Sequence, residues 1–339
     1  MKRFVDDNAV FEIKIPISWK YSLLDNRVHT FEEYDPWNSD CFQFSITKIE
    51  SEQRKKELVQ MFSLLPPLEI SDVDYRAYPD NEEDSLIIKS WTTIFGNEVI
   101  HFTLIVDKDA DPELNPVPVE EKVKTVHKIL ASFDLIPDEY KERKLNSYRF
   151  EMFLQGIGAT NLMLSKAIES KAFIEATCLL GTQIDSLLRI AIVLKKQLIN
   201  RNMVIEKEWI YQGATDKKKS EKDIYKKAKE LGILDEATFD NLYKLYEDRN
   251  RVVHRFIISE ITLADVESIS YEYYQIREKI KQAVDDIESE QIKQNIGMTT
   301  VDESDPGNKS PYMHFFMGKI GKVQYFDENQ KDSQAEEQV

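Results

Sequence analysis

The spacing of apolar residues changes once along the chain, and this change limits the folds available to it. Up to about residue 107, apolar and polar residues alternate in short runs, as in strands with one buried face. From residue 147 onward, apolar residues recur at steps of three and four, as on one face of a helix. A chain of 339 residues is also long for one domain. We therefore predict an α+β protein of two domains, an antiparallel sheet with helices followed by an all-α bundle.

Residues 1–137 are predicted to form the α+β domain. The alternating run from Phe11 to Ile17 predicts a strand, and Pro16 places that strand at an edge or near its own end. Gly96 and Asn97 separate two strongly apolar runs, which predicts a hairpin turn. Further strands are predicted at 42–46, 86–95 and 99–106, and helices at 51–65 and 123–133.

The N-terminal domain also resembles a known type of fold. Its first strand ends in Ile15-Pro16-x-x-Trp19, a meander follows, and the closing helix carries Ile129-Leu130-x-Ser132-Phe133. This order resembles PsbP-like α/β sandwich domains. The resemblance implies a binding or sensing domain, whose partner would be an antitoxin or a trigger protein.

Three segments complete the predicted domain organisation. Residues 138–146 are charged, follow Pro137 and predict a short linker. Residues 147–295 are predicted to be the helical domain. Residues 296–339 are predicted to be a polar tail, in which the apolar segment 312–325 docks back as a short hairpin or strand.

Several classes of protein are excluded by composition. Cys41 and Cys178 are too few and too far apart for a disulfide framework or a metal site, and no cofactor motif is present. The N-terminus becomes acidic before any apolar core, unlike a signal peptide. We find no apolar run long enough to cross a bilayer. The sequence predicts a cytoplasmic protein with no membrane partner, metal or cofactor.

Charge is distributed unevenly between the two predicted domains. The net charge of −16 argues against a nucleic-acid partner when it is taken for the whole chain. Residues 1–137, however, hold 15 basic against 26 acidic residues, whereas residues 138–299 hold 26 against 27. The acidity therefore belongs mainly to the N-terminal domain, and the helical domain is close to neutral.

The most informative motif lies at the end of a predicted amphipathic helix. Arg249, Asn250 and His254 fall within six positions, and Arg251 and Arg255 lie beside them. Arginine can hold a phosphate by two parallel hydrogen bonds. Histidine can both accept and donate a proton near neutral pH, and asparagine adds a donor and an acceptor. These side chains together suit the handling of a phosphodiester.

Helix geometry constrains how these residues act together. Asn250 and His254 share a helix face, but Arg249 and His254 are five residues apart and diverge by roughly 140° on an ideal helix. Either the arginine wraps back, or two helices share the site at a symmetric interface. A simpler alternative is a solvated last turn, whose cations offset the helix dipole.

Arg249-Asn250-x-x-x-His254 resembles the Arg-x(4–6)-His signature of the HEPN superfamily, and the resemblance covers about residues 145–295. It implies a helical, dimeric, metal-independent endoribonuclease. By this resemblance His254 is the general base or acid toward the ribose 2′-hydroxyl, and Arg249 stabilises the charge that develops on the phosphate. Asn250 would orient either group, and Arg255 would support them.

Two further groups of residues are candidates for supporting roles. Gln183 and Asp185 lie on the apolar face of a predicted helix and would position the motif, although Asp185 and Arg189 also fit an exposed surface pair. A basic run precedes the motif helix and would guide RNA phosphates together with Arg251, although such a run also fits a solvated helix face. Its candidate residues are Lys217, Lys218, Lys219, Lys222 and Lys226.

Two functions from different classes follow from these features. The first is an endoribonuclease of a toxin or anti-phage defence system, with RNA as substrate and a homodimer as the working unit. The alternative is a non-catalytic HEPN module that binds RNA or nucleotide as an adaptor. A cleft in which two Arg249/His254 sets converge favours the first function, and a buried, fully hydrogen-bonded His254 favours the second.

Overall fold

The computed structural model describes residues 1–24, 27–33, 40–83, 85–108, 117–213 and 216–299. The chain divides into two compact units, Met1–Leu145 and Asn146–Val339. The first unit is built on antiparallel sheets and the second is helical, so the expected mixed α/β composition is confirmed. The tail from residue 300 onward, with its apolar segment 312–325, lies outside the described residues.

The N-terminal unit contains two antiparallel sheets. Their strands are β1 Lys2–Val5, β2 Phe11–Ile15, β3 Trp19–Leu23, β4 His29–Glu33, β5 Cys41–Lys48, β6 Pro67–Leu68, β7 Tyr75–Ala77, β8 Asn81–Glu83, β9 Leu86–Phe95, β10 Glu98–Asp107 and β11 Asp134–Leu135. The smaller sheet has the strand order β1-β2-β11. The larger has the order β3-β4-β5-β10-β9-β7-β6, and β8 also pairs with β9.

The predicted central hairpin is confirmed by the pairing of β9 with β10. Phe95 lies opposite Glu98, and Gly96 between them has a φ of 57°, which favours glycine. The first predicted strand is shorter than expected, because Pro16 ends β2 and leaves Ile17 exposed.

Helices α1 (Glu52–Phe62) and α2 (Val119–Leu130) belong to the same unit. Val126, Ile129 and Leu130 of α2 are buried against phenylalanines from the strands, which places the unit's core between sheet and helix. The helix from residue 51 was expected to extend to residue 65, but it ends at Phe62.

The second unit is formed by helices of unequal length. Asp235 and Thr262 cap two of them by accepting hydrogen bonds from the third helical N–H. The predicted linker residues 138–146 form a 3-10 turn at Asp138–Tyr140 and then enter a helix. The helices are α3 Lys141–Glu169, α4 Phe173–Asn200, α5 Lys207–Ile210, α6 Glu221–Glu230, α7 Glu236–Arg255 and α8 Leu263–Gln294.

Helix α4 is at the centre of the helical core. Its buried apolar side chains lie in one cluster with those of α8, including Tyr273, Ile276 and Ile280. By length and composition α4 could also cross a membrane, contrary to the expectation that no run is long enough, and 72% of its most apolar window is buried within the protein. Burial of that kind is typical of a core helix.

A buried polar network crosses this apolar core. Arg277 on α8 donates from Nε to Gln183 Oε1 at 2.9 Å and from Nη2 to Asn161 Oδ1 at 3.1 Å. Gln183 Nε2 donates to the same Asn161 oxygen at 2.7 Å. Glu278 pairs with the remaining end of the guanidinium. The network therefore supplies partners for a charge that is otherwise costly to bury.

A buried carboxyl group on α8 makes the stability of this unit pH-dependent. Glu288 is 4% exposed, its Oε1 lacks a hydrogen-bond partner among the described residues, and burial, together with Asp285, raises its pKa to about 8. Between its ordinary pKa and this value the folded chain holds a proton that the unfolded chain has lost, so stability falls as the pH rises.

We expect Glu288→Gln to remove this dependence. The unfolding free energy of the parent should fall relative to that of Glu288→Gln by about 1 kcal/mol between pH 6 and pH 7. Urea denaturation at the two pH values measures the difference. Parallel pH profiles for the two chains would contradict the assignment.

Candidate functional site

Helix α7 carries the Arg-Asn-x-x-x-His motif at its C-terminal end. Asp235 caps the start of the helix, and Leu242, Leu245 and Val252 are buried along one side. The helix ends at Arg255, one residue after His254. The amphipathic pattern therefore holds α7 against the bundle by its apolar side and leaves the polar motif residues at its edge.

Arg249 is held by a carboxylate from α6. Its Nη1 donates to both oxygens of Glu221, each at 2.8 Å, and the two side chains are 14% and 26% exposed. Burial alone would lower the pKa of Arg249, but the hydrogen bonds and the charge of the Glu221 carboxylate raise it by more. The pKa of Arg249 is therefore raised above its ordinary value. The guanidinium is therefore permanently charged and fixed in position.

Further contacts fix the orientation of the guanidinium. Nη2 donates to Asn250 Oδ1 at 3.2 Å, and the guanidinium carbon lies 5.0 Å from the centre of the Tyr246 ring. Tyr225 donates its hydroxyl to Glu221 Oε2 at 3.1 Å, which anchors the carboxylate in turn. Arg249, Glu221, Tyr225 and Asn250 thus form one hydrogen-bonded chain, which we call the Arg249 cluster.

Gly181 on α4 provides the space for Arg249. A Cβ atom built at Gly181 would lie 2.9 Å from Arg249 Nη1 and 3.3 Å from its Cδ. Only a residue without a side chain therefore allows the guanidinium to pack on α4 in this position. By contrast, a Cβ built at Gly156 on α3 meets no atom within 4 Å.

Two buried polar atoms near the Arg249 cluster lack a hydrogen-bond partner in the described part of the chain. They are the hydroxyl of Tyr273 on α8 and Oδ1 of Asp185 on α4. Burial raises the pKa of both groups, and the charge of Arg249 lowers each in part. Unpaired buried polar atoms are uncommon in proteins, and they mark places where a water molecule or a ligand atom would be accepted.

His254 lies in a different environment from Arg249. It is exposed, and no hydrogen bond to it is found within the described ranges. Arg251 and Arg255 are also exposed, and Arg251 pairs with Asp248 at 3.3 Å. The five-residue offset between Arg249 and His254 therefore has the expected effect, because the arginine turns toward the bundle and the histidine toward solvent.

The candidate supporting residues on α4 serve different partners. Gln183 is bonded to Asn161 and Arg277 in the polar network of the core. Asp185 accepts from Arg189 Nε at 2.6 Å, and this pair is largely buried, which differs from the alternative of a surface pair. Asp185 nevertheless lies within electrostatic range of Arg249 and Glu221.

The basic run divides into two groups in space. Lys222 pairs with Glu247 at 2.7 Å and lies over the Tyr246 ring, near Arg249. Lys219 lies over the Trp209 ring, with its Nζ 4.2 Å from the ring centre. Lys217, Lys218 and Lys226 line a cleft beside that tryptophan. Among the described residues, no group of three His, Cys, Asp or Glu side chains is placed to hold a metal ion.

Sequence reasoning did not identify Glu221, Tyr225, Tyr273 or Gly181 as parts of the site. Glu221 stands inside the lysine-rich run, and it is 28 positions from Arg249. The two tyrosines follow the apolar spacing of core residues. A glycine inside an otherwise apolar helix was the one available signal, because such a glycine commonly marks a close approach.

Comparison with known proteins adds little to this description. No model of a known protein family matches the sequence, and no curated protein sequence matches it. Among solved structures, the chain is similar to a protein from Bacteroides thetaiotaomicron VPI-5482 whose crystal structure was determined at 1.50 Å resolution. The identity is 14%, the match covers 55% of this chain and 76% of that chain, and the TM-score is 0.31. Similarity at this level does not define a shared function.

Proposed function

We propose that the helical unit is a metal-independent endoribonuclease of the HEPN kind. His254 takes the proton of a ribose 2′-hydroxyl, and the oxygen attacks the adjacent phosphorus. The bond to the 5′ oxygen of the next nucleotide breaks and that oxygen takes a proton from water, which leaves a 2′,3′-cyclic phosphate and a 5′-hydroxyl. Arg249 stabilises the negative charge that grows on the phosphate oxygens.

The linkage of Arg249 to Asn250, one helical turn from an exposed His254, is the observation that carries this proposal. Asn250 accepts from Arg249 Nη2 and shares a helix face with His254. The arginine is therefore fixed and charged, while the histidine is exposed and accessible to a substrate. Those are the separate requirements of a charge stabiliser and an acid–base group.

A second copy of the chain would complete the site. The end of α7 and the residues after it expose Val253, Ile257, Ile258 and Leu263, and Ile257 and Ile258 are 95% and 82% exposed. An apolar patch beside a polar motif is typical of an interaction surface. Pairing of two such patches across a two-fold axis would bring two motifs together. Light scattering should then give the mass of a homodimer.

The N-terminal unit is proposed to be a PsbP-like sensing domain. Support comes from its antiparallel sheet and from α2, whose apolar residues are buried in the same core. Residues 1–137 of this unit hold 26 acidic against 15 basic residues, which favours a protein partner over RNA. An antitoxin or trigger protein bound there would regulate a cytoplasmic toxin or defence nuclease.

A second candidate function is a non-catalytic HEPN adaptor. It is favoured by the Glu221 carboxylate, because both of its oxygens already engage Arg249. A phosphate would have to compete with this ion pair. In an adaptor the same pair would only hold α6 to α7, and the exposed surface of α7 would bind its partner.

Incubation of the purified chain with total RNA in the presence of EDTA tests the proposal. We expect cleavage to continue in EDTA, because histidine performs the proton transfer that a metal-bound water otherwise provides. The products should end in 2′,3′-cyclic phosphates. Loss of cleavage in EDTA would contradict the mechanism, and intact RNA throughout would favour the adaptor.

The Gly181→Ala chain tests the position of Arg249 without changing its charge. The new methyl group would lie 2.9 Å from Arg249 Nη1, so the guanidinium would have to shift against Glu221. We expect cleavage to fall by up to about 10²-fold, the cost of a roughly 1 Å misplacement at a reacting centre. Gly156→Ala is the matched control, since its methyl group meets no atom and should raise helix stability by about 1 kcal/mol. Equal activity of the two chains would argue against a role for the position of Arg249.

A further inference from the structure

A cleft of about 900 Å³ lies beside Trp209, on the side of α6 that carries the lysine-rich run. Its lining comes from residues between 206 and 212 and from residues between 216 and 230, before and within α6. Trp209 is buried beneath it, and its indole Nε1 donates to Glu206 Oε2 at 2.9 Å. The cleft is therefore built on a fixed aromatic residue rather than on side chains that move independently.

The acidic residues of this cleft are already engaged. Glu208 pairs with Lys219 at 3.3 Å, Asp216 with Lys207 at 3.2 Å, and Glu230 with Lys227 at 2.9 Å. Glu206 is held by Lys196 and Trp209, and Asp223 closes the capping box of α6. Their negative charge is thus offset by near neighbours.

Three lysines in the lining form no ion pair within the described ranges. Lys217, Lys218 and Lys226 are exposed, and Asp223 lies within electrostatic range of Lys217 and Lys226. Like charges placed together on one surface repel each other and favour binding of an anion. Three cations that line one cleft are better suited to bind a chain of phosphates than a single carboxylate.

Tyr211, which also lines the cleft, offers a surface for a planar group. The Tyr211 ring is 39% exposed, and the Arg149 guanidinium carbon lies 4.5 Å from its centre. Lys207 Nζ lies 5.4 Å from the same centre. Aromatic rings and guanidinium planes are the groups on which unpaired bases stack.

We infer that this cleft binds a single-stranded segment of RNA, with its phosphates on Lys217, Lys218 and Lys226 and a base against Tyr211. A duplex fits less well, because its bases are paired and stacked and cannot reach the tyrosine. The inference rests on the proposed function only for the choice of RNA as the polymer. The cleft itself follows from the charges and the ring.

Fluorescence anisotropy with a labelled single-stranded RNA tests the inference. The measurement uses the full chain carrying His254→Ala, so that binding is observed without cleavage. Replacing the three lysines by alanine should weaken binding by about 10- to 100-fold and reduce the salt dependence of the binding constant by about two logarithmic units per decade. Tyr211→Ala should weaken binding by about 5-fold or more, and Tyr211→Phe should not.

Controls separate the cleft from general electrostatic attraction. Replacing the exposed lysines Lys166, Lys279 and Lys293, which lie outside the cleft, removes the same charge and should leave binding nearly unchanged. An equal loss in this control, or equal affinity for duplex RNA, would overturn the inference. Because binding and cleavage are measured separately, binding in the cleft by a chain that cuts no RNA would reject the nuclease and keep the site. If replacing the three lysines changes neither binding nor cleavage, the binding site is rejected and the nuclease is kept.

Discussion

RNA cleavage by the His254→Ala chain is expected to fall by about 10²–10⁴-fold, the usual cost of losing a general acid–base group. His254 is exposed and is not part of a hydrogen-bonded network in the described residues, so its removal should leave the fold and the proposed dimer intact. Initial rates on a defined RNA, with mass measured by light scattering, test both parts of the expectation.

Arg249 provides a second test of the same chemistry. The Arg249→Lys chain should also fail to cleave RNA, because an ammonium group is a point charge and cannot engage Glu221, Asn250 and a phosphate in one plane.

The matched control for His254→Ala is His101→Ala, since His101 is an exposed histidine of β10 in the N-terminal unit. Full activity of His254→Ala would reject the mechanism.

The helical unit is expected to lose about 3–5 kcal/mol of unfolding free energy in Asn161→Leu. Asn161 Oδ1 accepts from both Gln183 and Arg277, and Arg277 is almost fully buried. Removing this oxygen leaves an amide donor and part of a guanidinium without partners in the core. Each group left unpaired costs about 1–3 kcal/mol, and more when it is charged. Urea denaturation followed by the helical signal measures the loss.

A triple variant distinguishes lost hydrogen bonding from poor packing. Asn161→Leu, Gln183→Leu and Arg277→Met together remove donors and acceptor, so the triple variant should be less destabilised than Asn161→Leu alone. If the triple variant is instead the least stable chain, packing and not the unpaired charge determines the cost.

The elements predicted best are those that local sequence determines. The long helices carry many turns of apolar spacing, and Asp235 and Gly96 have local roles, so their elements were recognised. Short strands such as β1 and β4 contain too few alternating residues to be distinguished from loops. The strand Cys41–Lys48 was recognised because its alternating phenylalanines fit a strand and no other element.

The candidate site was only partly predictable for a related reason. Arg249, Asn250 and His254 are adjacent in sequence and form a pattern. Glu221 is an ordinary acidic residue among lysines, and its role depends on the packing of α6 against α7. Side chains that act through tertiary contacts leave no periodic signal, and the unpaired atoms of Tyr273 and Asp185 are of this type.

Helix α6 is only ten residues long, and its first residue is Glu221. The Ser220–Asp223 capping box holds that first turn, with Ser220 N donating to Asp223 Oδ2 at 2.9 Å. Ends of short helices open locally at a lower free energy than a buried core such as that of α4 and α8. Each such opening releases Arg249 from its carboxylate while the bundle stays folded. Amide hydrogen exchange of Asp223 and Ile224, whose N–H groups bond to Ser220, therefore measures how often this turn opens and Arg249 loses its carboxylate.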